Sequence, residues 1–88
     1  MAEKYKRTRR KQIDDKDLSR VMDRIARNIR QLRIANGQSQ QLLATDAGIA
    51  ITTLSDIERG QAYNLKLSTL IAIARQLRLR DITDLFKP

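Results

Sequence analysis

The sequence contains no cysteine and no histidine. The first absence removes any disulfide framework and any thiolate metal site; the second removes the commonest general base and the commonest metal ligand. A glycine-rich phosphate loop is missing as well, and no carboxylate pair is spaced for acid–base work. No catalytic residue, metal or cofactor is therefore expected, and the chain is not read as an enzyme. Aromatic residues number only three, Tyr5, Tyr63 and Phe86, too few for a platform that stacks bases, which argues against single-strand or RNA binding of that kind. No apolar run approaches the ~20 residues that cross a bilayer, and the N-terminus lacks the apolar core of a signal peptide. No membrane partner is expected. The single proline is Pro88, so none interrupts a helix.

What the chain has is positive charge. Its 88 residues carry 18 Lys and Arg against 10 Asp and Glu, a net charge of +8. That length allows one domain with one small core, and that charge points to polyanions, nucleic acid first. The excess is uneven. Residues 1–11 hold six basic side chains against Glu3, whereas residues 35–88 are net +1. Residues 1–13 show no apolar period and are read as a disordered basic arm, with Arg7, Arg9, Arg10 and Lys11 as its DNA-contacting candidates. Two readings stand: a solvating tail, or an arm that falls on phosphates or enters a minor groove. Residues 14–88 form the folded domain.

Apolar spacing predicts helices throughout that domain. Leu18, Val21, Met22, Ile25, Ile29 and Leu32 recur at three- and four-residue intervals, giving a helix over about 17–35. Asp14, Asp15 and Asp17 supply its N-terminal acids, and Gly37 its stop. A second helix spans about 40–47 behind Ser39, a third about 51–59 before Gly60, and a fourth about 69–77 behind Ser68. The fourth helix is expected to bury Leu67, Leu70, Ile71, Ala74 and Leu77. Asp81 caps a final short helix that turns Ile82, Leu85 and Phe86 inward. The expected fold is all-α, a compact five-helix bundle.

The stretch from Ser39 to Gly60 carries the functional signal. Two helices must be held at a steep angle so that the second fits a major groove. Leu43 and the small Ala44 face inward, Gly48 makes the turn, Ile49 plugs the corner, and Leu54 and Ile57 anchor the second helix. On those residues the chain resembles the phage-repressor and Cro-type (XRE) helix-turn-helix family. Ser39, Gln40, Leu43, Ala44, Gly48, Ile49, Leu54, Ser55, Ile57, Glu58 and Gly60 fit its pattern S-Q-x-x-L-A-x-x-x-G-[IV]-x-x-x-x-[IL]-S-x-[IW]-E-x-G. The match runs from about Ile25 to Phe86.

The resemblance implies a lambda-repressor-like DNA-binding domain and a role for each matching position. Arg33 and Glu58 take the sites of a largely buried ion pair, the plainer alternative being two solvated charges. Ser39 and Gln40 open the helix whose start meets a phosphate. Gln40 also braces the next helix, unless it serves only as a cap or faces solvent. Ile51, Thr52, Thr53 and Asp56 fall at the groove-facing positions. Ile51 and the threonine methyls suit thymine methyls, unless Ile51 is a core or dimer contact. Asp56 suits a cytosine amino group or else repels phosphate. Arg59 suits a phosphate or a local role at the helix end. Tyr63 is either a phosphate contact or a lid on the core. The implied function is a cytoplasmic bacterial or phage transcriptional regulator, a repressor that binds double-stranded DNA as a homodimer. A protein-interaction module or antitoxin or controller component is the alternative, its partner a toxin or polymerase. Departures from the pattern are Gln38 where an apolar residue is usual, Ala50 where Ser or Thr caps, a longer link at 61–67, and Arg78 in place of a frequent glycine.

Overall fold

The structure, a computed structural model, describes residues 15–88; the proposed arm, with Asp14, lies outside the described residues. Asp15 opens the first helix, α1 (Lys16–Ala35), by accepting the N–H groups of Asp17 and Leu18 at 2.8 and 3.3 Å. Two apolar positions per turn then face one way, so Met22, Ile25, Ala26 and Ile29 are buried. Helix α2 (Gln40–Ala47) begins where Ser39 Oγ accepts the Leu42 N–H at 3.0 Å. Helices α3 (Ile51–Glu58) and α4 (Leu67–Gln76) follow. The chain ends in a 3₁₀ turn, Ile82–Phe86. Among the described residues there is no strand, and no helix is long and apolar enough to cross a membrane.

All four α-helices close in the same way. The N–H of a closing residue one or two positions past the end bonds back three residues and the next N–H bonds back five, a pair of bonds that satisfies two otherwise orphaned carbonyls. The closing residue has positive φ each time: Gly37, Gly48, Gly60 and Arg78. At Gly48 this closure supplies the turn between α2 and α3, and Ile49, half-buried, packs against the core. At Gly60 a second constraint applies, because an added Cβ would stand 2.9 Å from Asp23 Oδ1 of α1.

One core unites the elements. Ile25 and Ile29 of α1, Leu43 and Ala44 of α2, Leu54 and Ile57 of α3, Leu70, Ile73 and Ala74 of α4, and Leu77 and Leu85 form a single cluster. Helix α1 packs on α3 and on the terminal turn, while α2 packs on α3 and α4.

Three expectations are corrected. The fifth helix is a 3₁₀ turn of five residues, in which the Asp84 N–H bonds back three residues to the Asp81 carbonyl at 3.0 Å. It is held by Asp81, which accepts the Thr83 N–H at 2.9 Å. Asn28 of α1 also donates to the Leu85 and Lys87 carbonyls at 2.8 Å each. Second, Ser68 does not cap α4. The first intrahelical bond runs from the Leu70 N–H to the Lys66 carbonyl, so the helix starts at Leu67 and Ser68 lies inside it. Third, the buried stripe of α4 is Leu70, Ile73, Ala74 and Leu77. At ~100° per residue that register turns Ile71 aside, leaving it 37% exposed, and Leu67, on the first turn, 64% exposed.

Candidate nucleic-acid interface

Helix α3 has two unlike sides. Leu54, Ile57 and Glu58 are buried, whereas Ala50, Ile51, Thr52 and Thr53 form four consecutive exposed residues at its leading end. The difference follows from the turn before it. Ile49 and Leu54 are drawn into the core, so the residues between them must bridge over its surface. Ala50 has extended backbone and no side chain able to accept a hydrogen bond, so the first N–H groups of α3 have no side-chain cap. Ile51 is 39% exposed and lies outside the apolar cluster.

The buried side of α3 is tied down by a polar network. Glu58 Oε2 accepts from Arg33 Nε at 2.7 Å, and Oε1 accepts from Arg33 Nη2 at 3.1 Å. This is a two-pronged carboxylate–guanidinium pair, whose side chains are 3% and 13% exposed respectively. Gln40 Nε2 donates a third bond to Glu58 Oε1 at 3.0 Å, and Arg33 Nη1 donates to the Gln38 carbonyl at 2.9 Å. One carboxylate thus links α1, α2 and α3. Charges this far out of water are tolerated only when every lone pair and N–H finds a partner. Each guanidinium nitrogen of Arg33 and each carboxylate oxygen of Glu58 has at least one partner, and the shortfall lies at the margin. Gln38 Oε1 is buried without a partner, and its Nε2 reaches the Gln76 carbonyl only at 3.5 Å.

Of the sequence-derived candidates, Ile51, Thr52 and Thr53 lie exposed at the head of α3, and Thr53 and Asp56 line one cleft. Ser39 is spent on capping α2, and the Gln40 amide nitrogen is spent on Glu58. Their offer to an anion is therefore the start of α2 itself, with its N–H groups and positive dipole end. Thr52 and Thr53 are open to solvent. Asp56 and Arg59 pair with each other on the outer side, Asp56 Oδ1 accepting from Arg59 Nη2. The arm residues Arg7, Arg9, Arg10 and Lys11 lie outside the described residues.

Beside α3 lies an open cleft of about 500 Å³, bounded by Thr53 and Asp56 on one side and by Tyr63, Asn64, Lys66 and Thr69 on the other. Tyr63 is exposed and lines this cleft, so it is not a lid on the core. Sequence reading overlooked Lys66, Asn64 and Thr69. The signal was the position of Lys66 immediately before an uncapped helix, which the assumed Ser68 cap concealed.

The helix-turn-helix family model matches residues 29–85. Among solved structures, the restriction-modification controller protein C.AhdI from Aeromonas hydrophila is similar at 31% identity and a TM-score of 0.69, covering 74% of this chain and 96% of that one. The hypothetical transcription factor NHTF from Neisseria is similar at 31% identity and a TM-score of 0.72, covering 77% of this chain and 76% of that one. No curated protein matches the sequence.

Proposed function

The chain belongs to the phage-repressor and Cro-type (XRE) helix-turn-helix family, and from that membership we propose that it is a sequence-specific, double-stranded-DNA-binding transcriptional regulator. The observation that carries this reading is the exposed run Ala50–Thr53 at the head of a helix whose other side is sealed. A helix entering a major groove reads base edges with its leading residues while its rear stays packed. Ile51 and the threonine methyls offer apolar contact to thymine methyls, and the two hydroxyls offer hydrogen bonds to base edges or phosphates. The starts of α2 and α3, with Arg59, address the backbone. The basic arm, residues 1–13, adds sequence-independent affinity through Arg7, Arg9, Arg10 and Lys11.

The finer form of the proposal is a cytoplasmic repressor that acts as a homodimer on a near-palindromic operator, one α3 per half-site. Leu67 and Ile71, four residues apart on α4 and both solvent-facing, favour self-association because a monomer leaves this apolar pair in water. The likeness to a restriction-modification controller makes control of such a system one role for this regulator.

A salt series tests the proposal. Full-length protein titrated onto random duplex should bind more weakly as salt rises, the logarithmic slope steepening by about 0.9 for each phosphate contacted. Deleting residues 1–11 should flatten that slope. Binding that ignores salt, or no binding at any salt, refutes the reading. It would favour the alternative of a protein partner, for which the apolar Ile51 and the acidic Asp56 on the outer side of α3 are the supporting features.

A further inference from the structure

Asp56 and Arg59 sit one helical turn apart, their side chains 50% and 60% exposed, and they are joined to each other rather than to the buried network. A carboxylate beside Thr52 and Thr53 is an odd choice for a surface meant to approach a polyanion. By charge alone it opposes the contact. Its partner changes what the surface presents. A guanidinium carries five N–H donors in a rigid plane. In Arg59 an Nη2 hydrogen goes to Asp56, and the rest have no acceptor among the described residues. An unpaired surface arginine loses rotamer freedom when it binds; one already held by a neighbour has surrendered much of it beforehand.

Both ends of this pair are fixed to the scaffold. Asp56 is on the last full turn of α3, and its carbonyl accepts the Gln61 N–H at 2.9 Å. Arg59 ends the helix, its N–H shared between the Ser55 and Asp56 carbonyls at 3.1 and 3.3 Å. The next residue, Gly60, is buried against Asp23 of α1.

We infer that Asp56 is a positioning residue. It contacts no base itself, but aims the free N–H groups of Arg59 at a paired acceptor on the duplex, either the O6/N7 edge of a guanine or two oxygens of a phosphate. The inference rests on the DNA-binding reading above and assigns Asp56 a role within it. It also reverses the sign expected from charge. Removing a negative charge from a DNA-facing helix should weaken specific binding.

A double-mutant cycle tests it in the full-length chain. Sites are first selected from a random duplex library with wild type. Affinity for a selected duplex and for a scrambled one is then measured for wild type, Asp56→Asn, Arg59→Ala and the double variant. Asp56→Asn should lose about tenfold on the selected duplex, the scale of one good two-pronged contact; on the scrambled one it should lose nothing if the acceptor is a base edge and a similar factor if it is a phosphate. In the Arg59→Ala background the same change should cause no further loss. Asp56→Glu, which keeps a carboxylate on that side where Asn keeps only a neutral acceptor, should recover part of the affinity. A loss confined to duplexes with guanine at one position identifies the base edge as the target; a uniform loss identifies a phosphate. Both support the inference. Tighter binding by Asp56→Asn, or an equal loss with and without Arg59, overturns it while leaving the DNA-binding reading intact. A wild type that selects no duplex overturns both.

Discussion

Within the eight residues of α3, Thr53 is open to water and Leu54, its neighbour, is wholly enclosed. The outer side has no cap at its start and two hydroxyls; the inner side has two aliphatic residues and a carboxylate engaged by three hydrogen bonds. The contrast shows that this short helix separates two tasks. It owes its orientation to α1 and α2 through Glu58 and the core, so its exposed residues can change without loss of fold. In a protein of ordinary stability, about 5–15 kcal/mol in total, such a division lets an exposed residue of α3 change at little risk.

That separation can be broken most sharply from the inner side. Glu58→Ala leaves the Arg33 guanidinium buried beside an empty site and strands the Gln40 amide; it should cost about 3–5 kcal/mol, read as a drop in the denaturant midpoint. A midpoint equal to wild type would mean that α3 is not held by this network. Gly60→Ala should cost about 1–2 kcal/mol, the penalty for a Cβ in the left-handed region. The added methyl also meets Asp23 Oδ1, so adding Asp23→Ala should return only a minor part of the loss. Full recovery would show that the clash, rather than the backbone, is the constraint. At the matching position after α4 the sign reverses. Arg78 already occupies φ +64°, so Arg78→Gly should stabilise the domain by up to about 1 kcal/mol and leave DNA affinity unchanged.

The smallest effect lies at the start of the terminal 3₁₀ turn. Hydrogen bonds from the backbone N–H and the side chain of Thr83 hold the Asp81 carboxyl below its ordinary value of 3.8. Because the folded pKa is the lower one, the contribution of Asp81 is complete above the unfolded value and disappears as pH falls through the folded value. The difference in thermal midpoint between wild type and Asp81→Ala should therefore be constant near neutrality and shrink only below pH 3.8. A difference that shrinks already near neutrality would contradict this origin.

How much of this was legible beforehand depended on whether the cause was local. The α1, α2 and α3 boundaries follow from apolar spacing, Ser39 and three glycines, all signals within a few residues of the structure they set. The start of α4 was misplaced because Ser68 is a favourable cap by type, yet the backbone at Lys66 begins the helix without one. Ile73 was missed for Ile71 because a single helix of alternating aliphatics fits two registers, and only packing on α2 selects one. Asn28 gave no signal at all, since its partners are nearly sixty residues away. In the site, the family pattern led to Arg33, Glu58 and Gln40. The structure adds that the Gln40 amide is already engaged by Glu58. The pairing of Asp56 with Arg59 was open to reading from their three-residue spacing, but each had been given a separate task.

The most direct test of whether the outer side of α3 reads DNA is site selection from a random duplex library, run in parallel with wild type and a Thr52→Ala/Thr53→Ala variant of matched thermal stability. The account predicts that wild type returns two related half-sites about 10 base pairs apart, centre to centre, or a multiple of that. The variant should return a different preference at one or more positions within each half-site. An identical motif from both proteins, or none from wild type, would contradict it.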